Sequence, residues 1–222
     1  MAAFHDFFPD PRRFHDRAEA GRELGRELRE RYGERGDVIV LALPRGGVPV
    51  GYEVAKVLGA PLDVFVVRKL GVPGQPELAM GAIASGNARV FNRDVVQYSN
   101  VTREQVEEVI SREREELGRR EKLYRGDRPW PELAGKAVIL VDDGLATGAT
   151  MRAAISAVRQ FEPDRIVVAV PVSAPETAAM IADLADDFIC PVQPSPFQAV
   201  GIWYEDFSPT TDDEVRGILS RV

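Results

Sequence analysis

The sequence predicts an α/β fold, a parallel sheet of about five strands with helices on both faces. Three observations predict it. Short, unbroken apolar runs recur along the chain, as strands covered on both faces require. Segments with helical spacing and caps alternate with these runs, the pattern that builds parallel sheets through helical crossovers. Loops rich in glycine and small polar residues follow several strands, at the edge where such sheets bind ligands.

Taken in order, Asp16 with Glu19 three residues later marks a helix start, and residues 17–35 read as a charged helix ended by Gly33 and Gly36. Residues 37–43 form the first apolar run. Pro44-Arg45-Gly46-Gly47 is a loop, and residues 48–58 a helix closed by Gly59. Residues 61–68 read as a second buried strand. Residues 69–77 hold two glycines and two prolines, which reads as a mobile loop. Residues 79–84 and 88–91, around Ser85-Gly86-Asn87, read as a β-hairpin. Thr102 caps a long helix to about Leu123, whose spacings (Glu108 with Arg112, Glu115 with Arg119) describe a solvated face rather than a basic patch. Residues 136–141, 165–170 and 187–190 complete the strands. Helices fill 150–160 and 175–185, the latter with proline first.

The chain of 222 residues can bury one sizeable core, so one domain with at most an appendage is expected. No apolar run approaches the roughly 18 residues of a membrane span. The first residues lack the basic start and apolar stretch of a secretory signal. One cysteine, Cys190, rules out an internal disulfide and fits a reducing cytoplasm. A net charge of −7 argues against broad nucleic-acid binding. His5 and His15 read as solvent-exposed and lack metal-ligand spacing.

The stretch 138–151 carries the chemistry. A buried strand delivers Asp142 and Asp143 to the binding edge, and the chain then turns through Thr147-Gly148-Ala149-Thr150 into a helix. A helix N-terminus offers unpaired N–H groups and partial positive charge, which suits a phosphate. Carboxylates repel phosphate, so they serve another part of the ligand: sugar hydroxyls or a hydrated magnesium ion. Together these describe a site for ribose 5-phosphate. Taken singly, Asp142-Asp143-Gly144 is an ordinary turn and the threonine–glycine segment an ordinary helix start. Neither a G-x-G-x-x-G turn nor a P-loop is present.

The run Val141-Asp142-Asp143-Gly144-Leu145-Ala146-Thr147-Gly148-Ala149-Thr150 resembles the phosphoribosyl-pyrophosphate motif of the type I phosphoribosyltransferases. The resemblance implies that family's fold and its reaction, in which ribosyl phosphate passes to a nitrogenous base with magnesium and pyrophosphate is released. Carried over, Asp142 and Asp143 contact the ribose hydroxyls directly or through magnesium. Ala146, Thr147, Gly148, Ala149 and Thr150 bind the 5-phosphate. The sequence departs from the commonest pattern at Gly144, where a bulkier apolar residue is usual. It departs again at Ala146, where threonine or an acid that aids proton handling is frequent.

The resemblance covers most of the chain, and it implies that residues from about 191 onward form a small hood. Arg45, Gly46 and Gly47 stand where the family keeps its pyrophosphate loop, with the Arg45 and Gly46 N–H groups and the Arg45 cation toward the leaving group. Arg68 and Lys69 follow the next strand. Lys69 is either a second pyrophosphate contact or a surface residue, and residues 69–77 resemble the family's flexible lid. Phe197, Trp203, Tyr204 and Phe207 either stack on the base or pack the hood. Arg45-Gly46-Gly47-Val48-Pro49-Val50, the run 142–150 and the run 200–207 together resemble, more narrowly, a bacterial group of phosphoribosyltransferases with no settled acceptor. A cytoplasmic homodimer acting in nucleotide salvage, away from membrane and nucleic acid, is what the resemblance implies. Two other classes remain open, a regulatory module that senses the sugar phosphate and a hydrolase on the same scaffold.

Overall fold

The computed structural model describes residues 13–222, so His5 and the first residues lie outside it. In chain order the elements are α1 (Arg17–Tyr32), β1 (Val38–Ala42), α2 (Gly47–Leu58), β2 (Leu62–Val64), β3 (Val67–Val72), β4 (Gln75–Ala84), β5 (Ala88–Phe91) and α3 (Arg93–Tyr98). There follow α4 (Arg103–Arg125), β6 (Ala137–Val141), α5 (Ala149–Val158), β7 (Arg165–Ala169), α6 (Pro175–Ala182), β8 (Asp187–Ile189) and α7 (Asp212–Leu219).

Five strands pair in parallel in the order β2-β1-β6-β7-β8. Side chains alternate between its two faces. Val38, Val40, Ile139, Val141 and Val167 join the core under α1, α2 and α4, whereas Ile39, Leu41, Val138, Leu140 and Val168 join the core under α5 and α6. Burial on both faces is why these strands read as continuous apolar runs. Helix α1 is charged outward but buries Ala20, Gly21, Leu24, Gly25 and Leu28. A Cβ on Gly21 would sit 2.6 Å from the Val50 carbonyl, so α1 and α2 meet nearly backbone to backbone.

Two expectations are corrected. The run 61–68 is two strands: β2 stays in the parallel sheet, and the chain crosses at buried Phe65 and Val66 into an antiparallel sheet, β3-β4-β5. Ser85 fixes the crossing, its Oγ accepting from the Val66 N–H while its own N–H donates to the Val66 carbonyl. The expected loop at 69–77 is a paired hairpin turning at Pro73 and Gly74, the latter at φ +81°. Its glycine and proline belong to an irregularity: pairing shifts register at Gly71, where a Cβ would meet the Pro76 carbonyl at 2.6 Å. The hairpin expected around residues 85–87 is present as β4 and β5.

Helix α4 starts on Thr102 with a full capping box through Gln105. Its ion pairs differ from those expected: Glu116 takes Arg119 and Arg120, and Glu113 takes Arg68 from β3. At its end Arg125 grips Asp63 of β2 with three contacts of 2.9–3.1 Å, lies over the Trp130 ring at 4.8 Å and donates to the Pro129 carbonyl. Both partners are about nine-tenths buried, 8% and 10% exposed. Among the described residues no helix is long and apolar enough to cross a membrane.

The C-terminal stretch packs with the segment before α1. Phe14 pairs with Tyr204, and backbone hydrogen bonds join Phe14 to Trp203 and Glu205. Phe14, Ala20, Val172 and Tyr204 make a small core with Phe197, Val200, Trp203 and Phe207 around it. Helix α7, capped by Thr211 and Glu214, buries Val215 and Leu219.

Removing one partner of a buried ion pair strands the other charge. Arg125→Met is therefore expected to lower stability by about 3–5 kcal/mol in urea denaturation. Adding Asp63→Asn should recover part of the loss, and an unchanged midpoint for Arg125→Met alone would show the pair to be unimportant.

Candidate active site

The sheet order places β1 beside β6, the point at which successive crossovers leave in opposite directions. Ligands of doubly wound sheets sit in the crevice such a point opens at the carboxyl ends. Two loops meet there, residues 43–47 after β1 and residues 142–148 after β6.

The first loop is tied to the second from its start, the Leu43 N–H donating to the Val141 carbonyl at 2.8 Å. The Pro44–Arg45 peptide is cis. Gly46 and Gly47 then pass so close to the acidic pair that no side chain fits. A Cβ on Gly46 would lie 2.0 Å from Asp143 Oδ2, and one on Gly47 would lie 2.7 Å from the Val141 carbonyl and 2.9 Å from the Asp142 Cα. Glycine is required by that approach. Among the described residues the Arg45 and Gly46 N–H groups have no partner within the chain. The Arg45 side chain is exposed, 3.7 Å from Asp212, whose Oδ1 also accepts from the Tyr124 hydroxyl at 2.6 Å.

The second loop is held from behind. Leu145 exchanges backbone hydrogen bonds with Val172 and Ala174, and the Thr177 hydroxyl donates to the Ala146 carbonyl at 2.6 Å. Gly148 turns through φ +69° to start α5, and a Cβ there would meet Thr177 Cγ2 at 2.8 Å. No side chain caps α5, while Ala146, Thr147 and Thr150 are exposed. The first-turn N–H groups therefore open outward with the helix dipole behind them, an arrangement suited to an anion.

Asp142 and Asp143 stand half-buried at the head of this loop. The Asp143 N–H donates to Asp142 Oδ1 at 2.9 Å, and Asp143 Oδ2 accepts from Arg17 Nε at 2.9 Å. Burial first, and then the neighbouring Asp143 charge, push Asp142 well above the ordinary carboxylate range. Burial also raises Asp143, against the opposing pull of Arg17.

Of the remaining predicted residues, Arg68 is committed to Glu113 at 2.6 and 3.0 Å. Lys69 is exposed and, with Arg68 and Thr150, lines an open cleft of about 710 Å³ between the hairpin and α4. Tyr204 is buried between Phe14 and Phe207, and its hydroxyl donates to the Asp143 carbonyl at 2.6 Å. Burial above all raises its phenol. Trp203 is half-buried, and its Nε1 finds no partner among the described residues.

Sequence reasoning missed Arg17. It lies 126 residues from Asp143, in a helix crowded with arginines and glutamates, and no local spacing distinguishes it.

A doubly wound sheet with an uncapped helix N-terminus and paired carboxylates at its switch point defines an α/β protein with its crevice at the carboxyl ends of the strands. Within that class the chain belongs to the phosphoribosyl transferase domain family, whose model matches residues 13–204. A curated chain of Mycobacterium tuberculosis H37Rv, provisionally named a phosphoribosyl transferase, is 47% identical over 208 residues, 94% of this chain. The match takes in 46% of that relative, so this chain spans about half its length. The crystal structure of the protein TT1426 from Thermus thermophilus is 43% identical, with a TM-score of 0.84, covering 94% of this chain and 98% of that one. The AQ2163 protein of Aquifex aeolicus shares the fold at 13% identity and a TM-score of 0.50, covering 83% and 78% of the two chains.

The raised Asp142 gives a pH signature. The folded chain holds that proton more tightly than the unfolded chain, so its contribution favours folding below the ordinary value of 3.8 and is lost as pH rises through the raised one. Asp142→Asn should therefore be more stable than wild type at neutral pH in metal-free buffer, with the advantage shrinking toward acid. Parallel thermal-unfolding curves across that range would contradict it.

Proposed function

We propose that this chain is a magnesium-dependent phosphoribosyltransferase, which takes phosphoribosyl pyrophosphate and joins its ribose 5-phosphate to a nitrogenous base. The observation that carries the reading is the uncapped start of α5, residues 148–150, beside the Asp142–Asp143 pair at one switch point. A phosphate suits the first and a sugar diol or hard cation the second.

The residues divide the substrate between them. Thr147 and Thr150 hydroxyls and the N–H groups of residues 147–150 hold the 5-phosphate. Asp142 and Asp143 face the ribose hydroxyls. The free N–H groups of Arg45 and Gly46, admitted by the glycine pair, meet the pyrophosphate with the Arg45 guanidinium, and Lys69 approaches from the hairpin side. As the C1–oxygen bond breaks, its electron pair leaves with pyrophosphate, while a base nitrogen forms the new bond to C1 and gives up its proton. Arg45 and Lys69 stabilise the departing charge.

The site fits magnesium. Its donors are hard carboxylate oxygens, and no cluster of three or more acidic, histidine or cysteine ligands stands among the described residues. That set suits an ion taking its other ligands from water and substrate phosphates. When bound, magnesium would neutralise leaving-group charge. A cytoplasmic homodimer completes the reading. With Cys190 as its one cysteine, the sequence holds no internal disulfide that an oxidising compartment would maintain.

Calorimetry of phosphoribosyl pyrophosphate with and without magnesium tests the proposal, on wild type and on the Asp142→Asn/Asp143→Asn double variant. Metal-dependent binding that the double variant loses is expected. Absence of wild-type binding under both conditions would sink the reading. Arg45→Ala should weaken phosphoribosyl pyrophosphate by roughly tenfold or more while leaving ribose 5-phosphate nearly unaffected, since only the former carries pyrophosphate. Equal losses for both would remove Arg45 from the pyrophosphate end.

A further inference from the structure

Arg17 opens α1 directly after the Asp16 cap, and its guanidinium is engaged on its edges and on one face. Nε donates to Asp143 Oδ2 at 2.9 Å and Nη1 to the Ser208 carbonyl at 2.8 Å. Its Cζ lies 3.9 Å from the Phe207 ring centre and 6.0 Å from that of Tyr204. Only 11% of the side chain is exposed. Asp143 is gripped elsewhere too, its carbonyl by the Tyr204 hydroxyl, its carboxylate against the space left by Gly46. Asp142 differs. One of its oxygens accepts from the Asp143 N–H and no cation among the described residues pairs with it, while each of the two carboxylates keeps one oxygen without a partner there.

The acidic pair is thus asymmetric. Asp143 is paired with a buried cation, while Asp142 has a backbone N–H and no cation among the described residues. We infer that Arg17 is a positioning residue for the sugar end of the site, holding Asp143 as an anchor so that Asp142 is the carboxylate that meets the ribose hydroxyls or their metal ion. The inference rests on the proposed phosphoribosyl pyrophosphate site and deepens it. Arginine suits the position better than lysine: an ammonium could replace the charge, but it lacks the planar fork that bonds Asp143 and Ser208 with its centre over the Phe207 ring. Because Ser208, Tyr204 and Phe207 belong to the C-terminal stretch, the same guanidinium fixes that stretch over the pair.

Calorimetry of phosphoribosyl pyrophosphate with magnesium tests this on Arg17→Met, Arg17→Lys, Asp142→Asn, Asp143→Asn and Arg17→Met/Asp143→Asn, with Arg29→Ala, on the exposed part of the same helix, as control. Arg17→Met should bind about 10- to 100-fold more weakly, Arg17→Lys should fall between it and wild type, and the control should match wild type. The double variant should bind no worse than Arg17→Met, because both changes break one device. Asp142→Asn should lose more than Asp143→Asn. Added ethylguanidinium, which matches the atoms removed in a further variant Arg17→Ala, should restore part of the binding that variant loses and none of that lost in Asp142→Asn, a response that a purely structural role would not give. Wild-type affinity in Arg17→Met overturns the inference, as does multiplication of the two single losses in the double variant. If Arg17→Met does not fold, wild-type affinity in Arg17→Lys overturns it equally. No binding by wild type overturns the parent reading and this one with it, a result distinct from binding that survives the loss of Arg17.

Discussion

Two adjacent carboxylates held at the head of a buried strand are the constraint that the rest of the molecule accommodates. Ionised groups resist leaving water, and two together resist more. Everything around Asp142 and Asp143 answers that cost. A backbone N–H within the pair serves one carboxylate, Arg17 serves the other, and a glycine pair lets the β1 loop close over both without displacing them. The in-register pairing of β1 with β6, from Val38 opposite Ala137 to Ala42 opposite Val141, brings the two loops to the same level. Without that register the Leu43–Val141 hydrogen bond would not form, and the glycines would face nothing.

Helix α4 has a comparable role on the other side of the cleft. Its glutamates and arginines look alike in sequence but divide by depth. Glu116 with Arg119 and Arg120 is a surface group, of a kind that contributes little. Glu113, Tyr124 and Arg125 reach different neighbours: the hairpin through Arg68, the start of α7 through Asp212, and the sheet edge through Asp63. One long helix thereby fixes the relative placement of three elements around the cleft. Arg45 contacts the same Asp212, so the loop after β1 is linked to α4 through a shared carboxylate.

What could be read from sequence was what is local. The five parallel strands, the caps at Asp16 and Thr102, the proline at the start of α6 and the loop from Asp142 to Thr150 all follow from runs and spacings within a few residues. The failures are of a different physical kind. The crossing at Phe65 and Val66 is invisible because both sheets bury apolar residues alike, and only Ser85, far along the chain, marks where one ends. Gly71 and Pro76 suggested a loop, whereas a register shift absorbs them into a hairpin. Helix α7 is the exception, absent from the sequence reading although Thr211 with Glu214 three residues later is a local signal of its start. Arg17 had no local signal at all, since its meaning depends on a carboxylate contributed from beyond the middle of the chain.

The pairing of Phe14 with Tyr204 has a consequence for the order in which the protein matures. Residues 190 positions apart are joined next to the acidic pair, and closing so long a loop comes late because its entropy must be offset by contacts already formed. On the ribosome the residues that complete this junction emerge after β8, when all of the parallel sheet has been synthesised. A chain interrupted before Tyr204 would carry the sheet, helix α5 and both carboxylates, yet would lack the clasp that seats Asp143. The seating of Asp143 is therefore completed later than the sheet itself, only once the stretch through Ser208 has been made.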